Sequence, residues 1–405
     1  MQIQSKDLWA CISIALSAFF LLCGYEFIRS PSNTLFKATY GVESLPIVMA
    51  LMPLGVLLLV YLYGKSLSAL GSKKTLLFFS ILSATVFTLC YFAILANIHI
   101  ATAVLYIFGQ AYIVLIIEQY WSFLNSTLSN KIAKLAYGPI TGIGSVGAIL
   151  GGQLVGKLAK PLGTESLLLF GALTLVPTLF FLTLAFNKCG EPSAKTKESK
   201  STDSLGISLF KDSTILKVIL AIVILTQVIS ASIGLKFQSV LQLEIPNLDE
   251  QTSYHGFFFS AVNTASFVLQ FFLVPILLKK LSLRFIHLFI PIVHIFTCLS
   301  VVIYPTLETV SLCFLLFKSF DYSLFRVAKE LFYIPLSFDA RYRTKETIDV
   351  FGYRFSKGAT SLVVLMLQRA GFVMDSFLAI FALPAAALWF ALVIPATKNY
   401  KESPN

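Results

Sequence analysis

The sequence predicts an all-α membrane protein with twelve transmembrane helices in two six-helix halves. Three observations predict it. Of 405 residues, 57% are hydrophobic and 13% charged, against about 25% charge in a typical soluble domain. The apolar residues fall in long runs, each near the roughly 20 residues that span a bilayer. One hydrophilic stretch, Lys188 to Asp212, divides those runs into two sets.

The runs place spans near 8–28, 44–64, 75–96, 99–124, 136–158 and 165–186, then 213–235, 255–278, 284–304, 308–334, 346–371 and 373–396. Leu8 to Ile28 lacks a small-residue cleavage site and is followed at once by similar runs, so it reads as a first span rather than a signal peptide. The fifth and eleventh runs are the least apolar and the richest in Gly, Ser and charge. Residues 188–212 are too polar to bury a core and read as a linker between halves 1–187 and 213–405.

The formal charge of +11 does not indicate nucleic acid, because it lies mostly in short loops between spans. Lys6, Lys65, Lys73, Lys74, Lys131, Lys134, the linker lysines, Lys279, Lys280, Arg284, Arg341, Arg343, Lys345, Lys398 and Lys401 gather on one side. Arg29, Lys37, Lys157, Lys160, Lys236 and Arg369 fall on the other. The positive-inside rule then sets both termini and the linker in the cytoplasm, and a bacterial inner membrane is the expected location. The six cysteines are scattered with no CxxC pair, and the four histidines (His99, His255, His287, His294) show no metal spacing. They are assigned no role, and neither metal nor cofactor is expected. No Ser/His/Asp constellation suggests an enzyme.

The basic loop Gly64-Lys65-Ser66 to Lys73-Lys74 has a counterpart six spans later, Lys279-Lys280 to Arg284. Two such halves are what a major facilitator-like architecture looks like. The fifth span, with Gly138, Gly142, Gly144, Gly147, Gly151 and Gly152, lacks the strand and the Gly-Lys-Ser/Thr of a phosphate loop. Close helix packing explains it better.

Charge inside a span costs at least about 2.5–3.5 kcal/mol and so marks a cavity or a partner. In the fourth span Glu118, Trp121, Ser122 and Asn125 share a helical face. The tenth span carries Lys318, Asp321, Arg326, Lys329 and Glu330 before Tyr333. The eleventh carries Asp349, Arg354 and Lys357. Together with Arg29 the balance is positive, which suits an anion. A private Lys318–Asp321 pair, or an interfacial place for Lys329, is the bland alternative.

Lys329-Glu330-Leu-Phe-Tyr333-Ile334-Pro335-Leu336, followed by Ile348-Asp349-Val350-Phe-Gly352-Tyr-Arg354-Phe-Ser-Lys357, resembles the ATP/ADP translocase family of plastids and intracellular bacteria. Tyr25 to Leu35, Glu118-Gln-Tyr-Trp121 and Tyr137 to Gly144 carry weaker likeness. The family's Lys-Asp after the first-span Arg is Ser32-Asn33 here. The resemblance implies nucleotide exchange by alternating access. Arg29, Arg326, Lys329, Arg354 and Lys357 would hold phosphates, Glu118 would gate or touch the base or ribose, and Trp121 or Tyr333 would stack. The alternative is proton-coupled transport of another small anion, such as a siderophore or carboxylate metabolite. The expected partners are that anion and the lipid bilayer, with the chain a monomer.

Overall fold

The computed structural model describes residues 5–127, 130–190, 210, 213–333, 348–372 and 381–398, and within these all regular structure is helical. In order they are α1 (Ser5–Tyr40), α2 (Leu45–Leu95), α3 (Ile100–Thr127), α4 (Asn130–Leu162), α5 (Leu167–Cys189) and α6 (Thr214–Glu244). Then follow α7 (Leu248–Lys280), α8 (Leu283–Ile303), α9 (307–331), α10 (348–369) and α11 (Leu383–Lys398). Among the described residues, eight helical stretches are long and apolar enough to cross a membrane. The predicted linker lies almost wholly outside the described residues.

Several helices outrun the apolar runs that announced them. Hydropathy ends near Ile28, yet α1 continues to Tyr40 through Ser30, Pro31, Ser32, Asn33 and Thr34. The polar side chains there hold the helix by local bonds. Ser32 Oγ donates to the Ile28 carbonyl at 2.5 Å and Asn33 Nδ2 to the Arg29 carbonyl at 2.7 Å. Such satisfaction lets a polar turn stay helical around a proline that has no N–H to give.

α2 contains 51 residues, roughly 77 Å of helix at 1.5 Å per residue against a hydrocarbon core of about 30 Å. It bends at Gly71, whose φ of 78° and ψ of 174° are not helical. A side chain there would be strained. The two predicted spans 44–64 and 75–96 lie on either side of that bend.

The chain forms two compact units. The first comprises residues 1–195 with 245–264, and the second 196–244 with 265–405. In the first, α1 runs through the middle against α3, α4 and α5. Ile14, Leu21, Ile28, Leu105, Tyr112, Ile116 and Phe123 make its core. In the second, α6 packs on α9, α10 and α11, and α8 on α11. Leu54, Leu58, Leu89, Phe92, Leu173, Val176, Phe272 and Phe296 stand on the outside, each at least 58% exposed. A soluble protein would not expose so much apolar surface. It faces lipid: the chain is an integral membrane protein.

The fifth predicted span does serve close packing. A Cβ on Gly147 would come 2.2 Å from the Phe19 carbonyl of α1. One on Gly152 would come 2.8 Å from the Gly256 carbonyl of α7. Backbone meets backbone on both sides of α4.

Candidate functional site

Charged side chains gather at two places, one in each unit. In the second unit the regular winding of two helices is interrupted where the charges lie. α9 takes one π-helical turn over Asp321–Phe325, and α10 opens with another over Ile348–Phe355. A π turn inserts a residue into the ladder and redirects the side chains after it, a device common at functional positions.

Asp321 begins the turn in α9 and lies within electrostatic reach of Lys318, Arg326, Lys329 and Lys357. Its Oδ1 is buried and accepts no hydrogen bond from any described residue. The Lys318 ammonium donates instead to Ser230 Oγ on α6 at 3.0 Å, so the private Lys318–Asp321 pair is not formed. Lys329 is 4% exposed and places its ammonium 4.9 Å from the centre of the Tyr353 ring. Arg326 is exposed and Lys357 half-buried. Tyr333 is buried at the end of α9. Four cations around one carboxylate leave a net positive group, and a low-dielectric setting magnifies its field.

The first unit holds Arg29. Its Nη2 contacts both carboxylate oxygens of Glu26 at 2.6 Å, while its guanidinium carbon stands 3.5 Å over the Phe259 ring. Asn263 Nδ2 donates to Glu26 Oε1 at 2.9 Å. This Arg is therefore neutralised in place. Farther along α1, Lys37 is 2% exposed and its Nζ has no hydrogen-bond partner among the described residues. A cation so placed costs several kcal/mol if it stays unpaired. His255 on α7, wholly buried, lies within electrostatic reach of both Lys37 and Arg29 and stacks on Phe259 with ring centres 5.6 Å apart.

Glu118 sits in α3 about 9 Å beyond Tyr112 along the axis. It is exposed, not enclosed in an apolar interior, and lies within electrostatic reach of Tyr63 on α2. Trp121 is half-buried, edge-on to Tyr120 and Tyr137 at 5.7 Å each. The structure thus brings Arg326, Lys329 and Lys357 together around Asp321, and sets Arg29, Glu118 and Trp121 in the other unit. The Arg354 side chain, like those of Ser122, Asn125 and Asp349, lies outside the described residues.

Sequence reasoning missed Glu26, Lys37, His255 and Asn263. The i, i+3 spacing of Glu26 and Arg29 was a usable signal. Lys37 was counted with the loop cations because the apolar run stops nine residues earlier, whereas the helix does not.

Comparison with known proteins bears on this geometry. The nucleoside transporter NupG superposes with a TM-score of 0.67 at 14% identity, covering 97% of this chain and all of that one. A bacterial homologue of the iron transporter ferroportin, in an inward-facing state, gives 0.72 at 13% identity over 98% of this chain and all of that one. The chain thus shares its fold with these two proteins. The family described as TLC ATP/ADP transporter matches residues 311–400, the stretch that holds the Asp321 cluster. ADP,ATP carrier protein 3 of Rickettsia bellii (strain RML369-C) is 33% identical over 156 residues, 36% of this chain and 29% of that protein. The chain therefore matches less than a third of that relative's length. The Rickettsia prowazekii (strain Madrid E) protein of the same name is 24% identical over 353 residues, 74% of this chain and 70% of that one. Over these stretches the chain is similar to ADP,ATP carrier proteins, and the family match itself covers less than a quarter of its length.

Proposed function

We propose that this protein exchanges nucleotides of the ATP/ADP type across a membrane by alternating access. The observation that carries the reading is the Asp321 cluster: Lys318, Arg326, Lys329 and Lys357 around one carboxylate, inside the stretch that matches the transporter family. A nucleotide brings several phosphate charges, and a net positive group half-screened by its own carboxylate can bind and also release them. Lys329, Lys357, Arg326 and Arg354 take the phosphates in this reading, Tyr333 and Trp121 offer ring faces to the base, Arg29 joins the phosphate contacts once released from Glu26, and Glu118 gates.

In the same reading the chain crosses the membrane twelve times, the limbs of α2 on either side of Gly71 counting as two spans. Residues 1–187 and 213–405 are the two six-helix halves. The linker 188–212 and both termini face the cytoplasm, and the working unit is a monomer in a bacterial inner membrane. The test is uptake of labelled ATP into vesicles carrying the purified protein. Uptake that requires unlabelled ADP inside and ignores an imposed proton gradient is the expected result. No nucleotide uptake, or uptake driven by the gradient without internal ADP, overturns the reading in favour of proton-coupled transport of another anion.

A further inference from the structure

In the first unit Lys37 is buried and forms no ion pair among the described residues. Lys37 is 2% exposed and its Nζ lacks a hydrogen-bond partner among the described residues. The carboxylates of Glu26, Asp249 and Glu250 are engaged elsewhere. Glu26 grips Arg29 and accepts from Asn263. Asp249 Oδ1 accepts from the Thr164 N–H at 2.8 Å and from its hydroxyl at 2.7 Å. Glu250 pairs with Lys160 at 3.0 Å. His255 lies within electrostatic reach of Lys37, its ring stacked on Phe259 with centres 5.6 Å apart. A buried Lys37 Nζ with no hydrogen-bond partner among the described residues is a donor that suits an oxyanion.

The same region is shut by groups that can part. Thr34 and Thr252 share a hydrogen bond at 2.6 Å, the Thr164 and Thr252 hydroxyls lie 2.9 Å apart, and Ser253 donates to the Gly156 carbonyl at 2.6 Å. These bonds tie α1, α4 and the turn after it to α7.

We propose that Lys37 and His255 form an oxyanion-binding subsite in the first unit, covered in this conformation by the seam between α4 and α7, that takes a phosphoryl group of the substrate. The identity of that anion rests on the nucleotide-exchange reading; the basic and buried character of the subsite does not. Lys37 thereby becomes a substrate contact separate from the Asp321 cluster.

The experiment measures binding of inorganic pyrophosphate and of ADP to the purified full chain by thermal shift at matched ionic strength. Wild type is compared with Lys37→Met, Lys37→Gln and His255→Gln. Wild type should be stabilised by both ligands, and the Lys37 variants should bind pyrophosphate roughly ten- to a hundred-fold more weakly, the range of one charge-assisted contact. His255→Gln, which keeps a donor, should lose less. Either Lys37 variant suffices if the other does not fold. If ADP binds and exchanges while Lys37→Met and Lys37→Gln bind pyrophosphate as wild type does, the subsite is overturned and the nucleotide reading stands. If pyrophosphate binds through Lys37 but no nucleotide exchanges, the subsite stands and the nucleotide reading falls. If wild type binds neither ligand, both fall.

Discussion

Glu26 and Asn263, 237 positions apart in the chain, are joined by a 2.9 Å hydrogen bond, and the same carboxylate holds Arg29 at 2.6 Å. Glu26 is thus the hinge pin of a three-residue polar group between α1 and α7. Removing one partner of a buried ion pair strands the other and costs about 3–5 kcal/mol. Glu26→Gln should therefore destabilise the protein by about that amount, and Asn263→Ala by about 1.5–3 kcal/mol, the worth of a bond to a charged group. Denaturation of the purified variants checks both values. The double variant Glu26→Gln with Arg29→Gln should lose less than the sum of its singles, because neither charge is left behind.

Where α4 meets α7 there is no room for a side chain. A Cβ on Gly256 would lie 2.5 Å from the Gly156 nitrogen, so Gly256→Ala should cost about 1–3 kcal/mol by overpacking. Gly64→Ala, where nothing lies within 4 Å, should be harmless or slightly stabilising, since Ala favours helix over Gly. Melting temperatures of the two variants give the comparison directly.

Lys329 sits in the best-matched motif and in the Asp321 cluster. Lys329→Gln should weaken nucleotide binding about ten- to a hundred-fold, from loss of one charge-assisted contact of about 1.5–3 kcal/mol. Lys329→Arg should keep part of the activity, since the charge stays while the geometry changes. Exchange measured with unchanged rates for Lys329→Gln would move Lys329 out of the site.

Asp321 should act in the opposite sense. Asp321→Asn leaves Lys318, Arg326, Lys329 and Lys357 without their shared counter-charge. A unit charge at short range is worth on the order of 1 kcal/mol or more at a wet protein site. Nucleotide should then bind about fivefold or more tightly and leave more slowly, so the exchange rate falls while affinity rises. Equilibrium binding and exchange kinetics on the same preparation separate these two effects.

The orientation is tested at the linker. In a background without native cysteines, Ser201→Cys should resist an impermeant thiol reagent in intact cells and react once the cells are opened. Labelling in intact cells would reverse the assigned sidedness.

Much of this was legible in the sequence, for definite physical reasons. Lipid-facing runs must be apolar over a known length, so most helices announced themselves through hydropathy. The charged stretch around Lys329 stood out because charge is expensive in that setting. Other features carried no such mark. The polar stretch of α1 from Arg29 to Lys37 is mostly buried against protein instead of lipid, so hydropathy stopped at Ile28 and Lys37 passed for a loop residue. The bend at Gly71 is one backbone conformation among many glycines. The π turn at Asp321 depends on how α9 is packed, which spacing rules for an ideal helix do not contain.

The seam between α4 and α7 has one more consequence. It is fastened by hydroxyl and amide hydrogen bonds, among them Ser260 Oγ donating to the Ile149 carbonyl at 2.9 Å and Gln153 Nε2 donating to the Ser260 hydroxyl at 3.1 Å, with glycine backbone between them. An oily seam of the same length would have to be wetted at a loss when pulled open, whereas each of these bonds can be handed to a water molecule at a net cost of only about 0.5–1.5 kcal/mol. Parting this seam would therefore cost less than parting the same area of apolar contact.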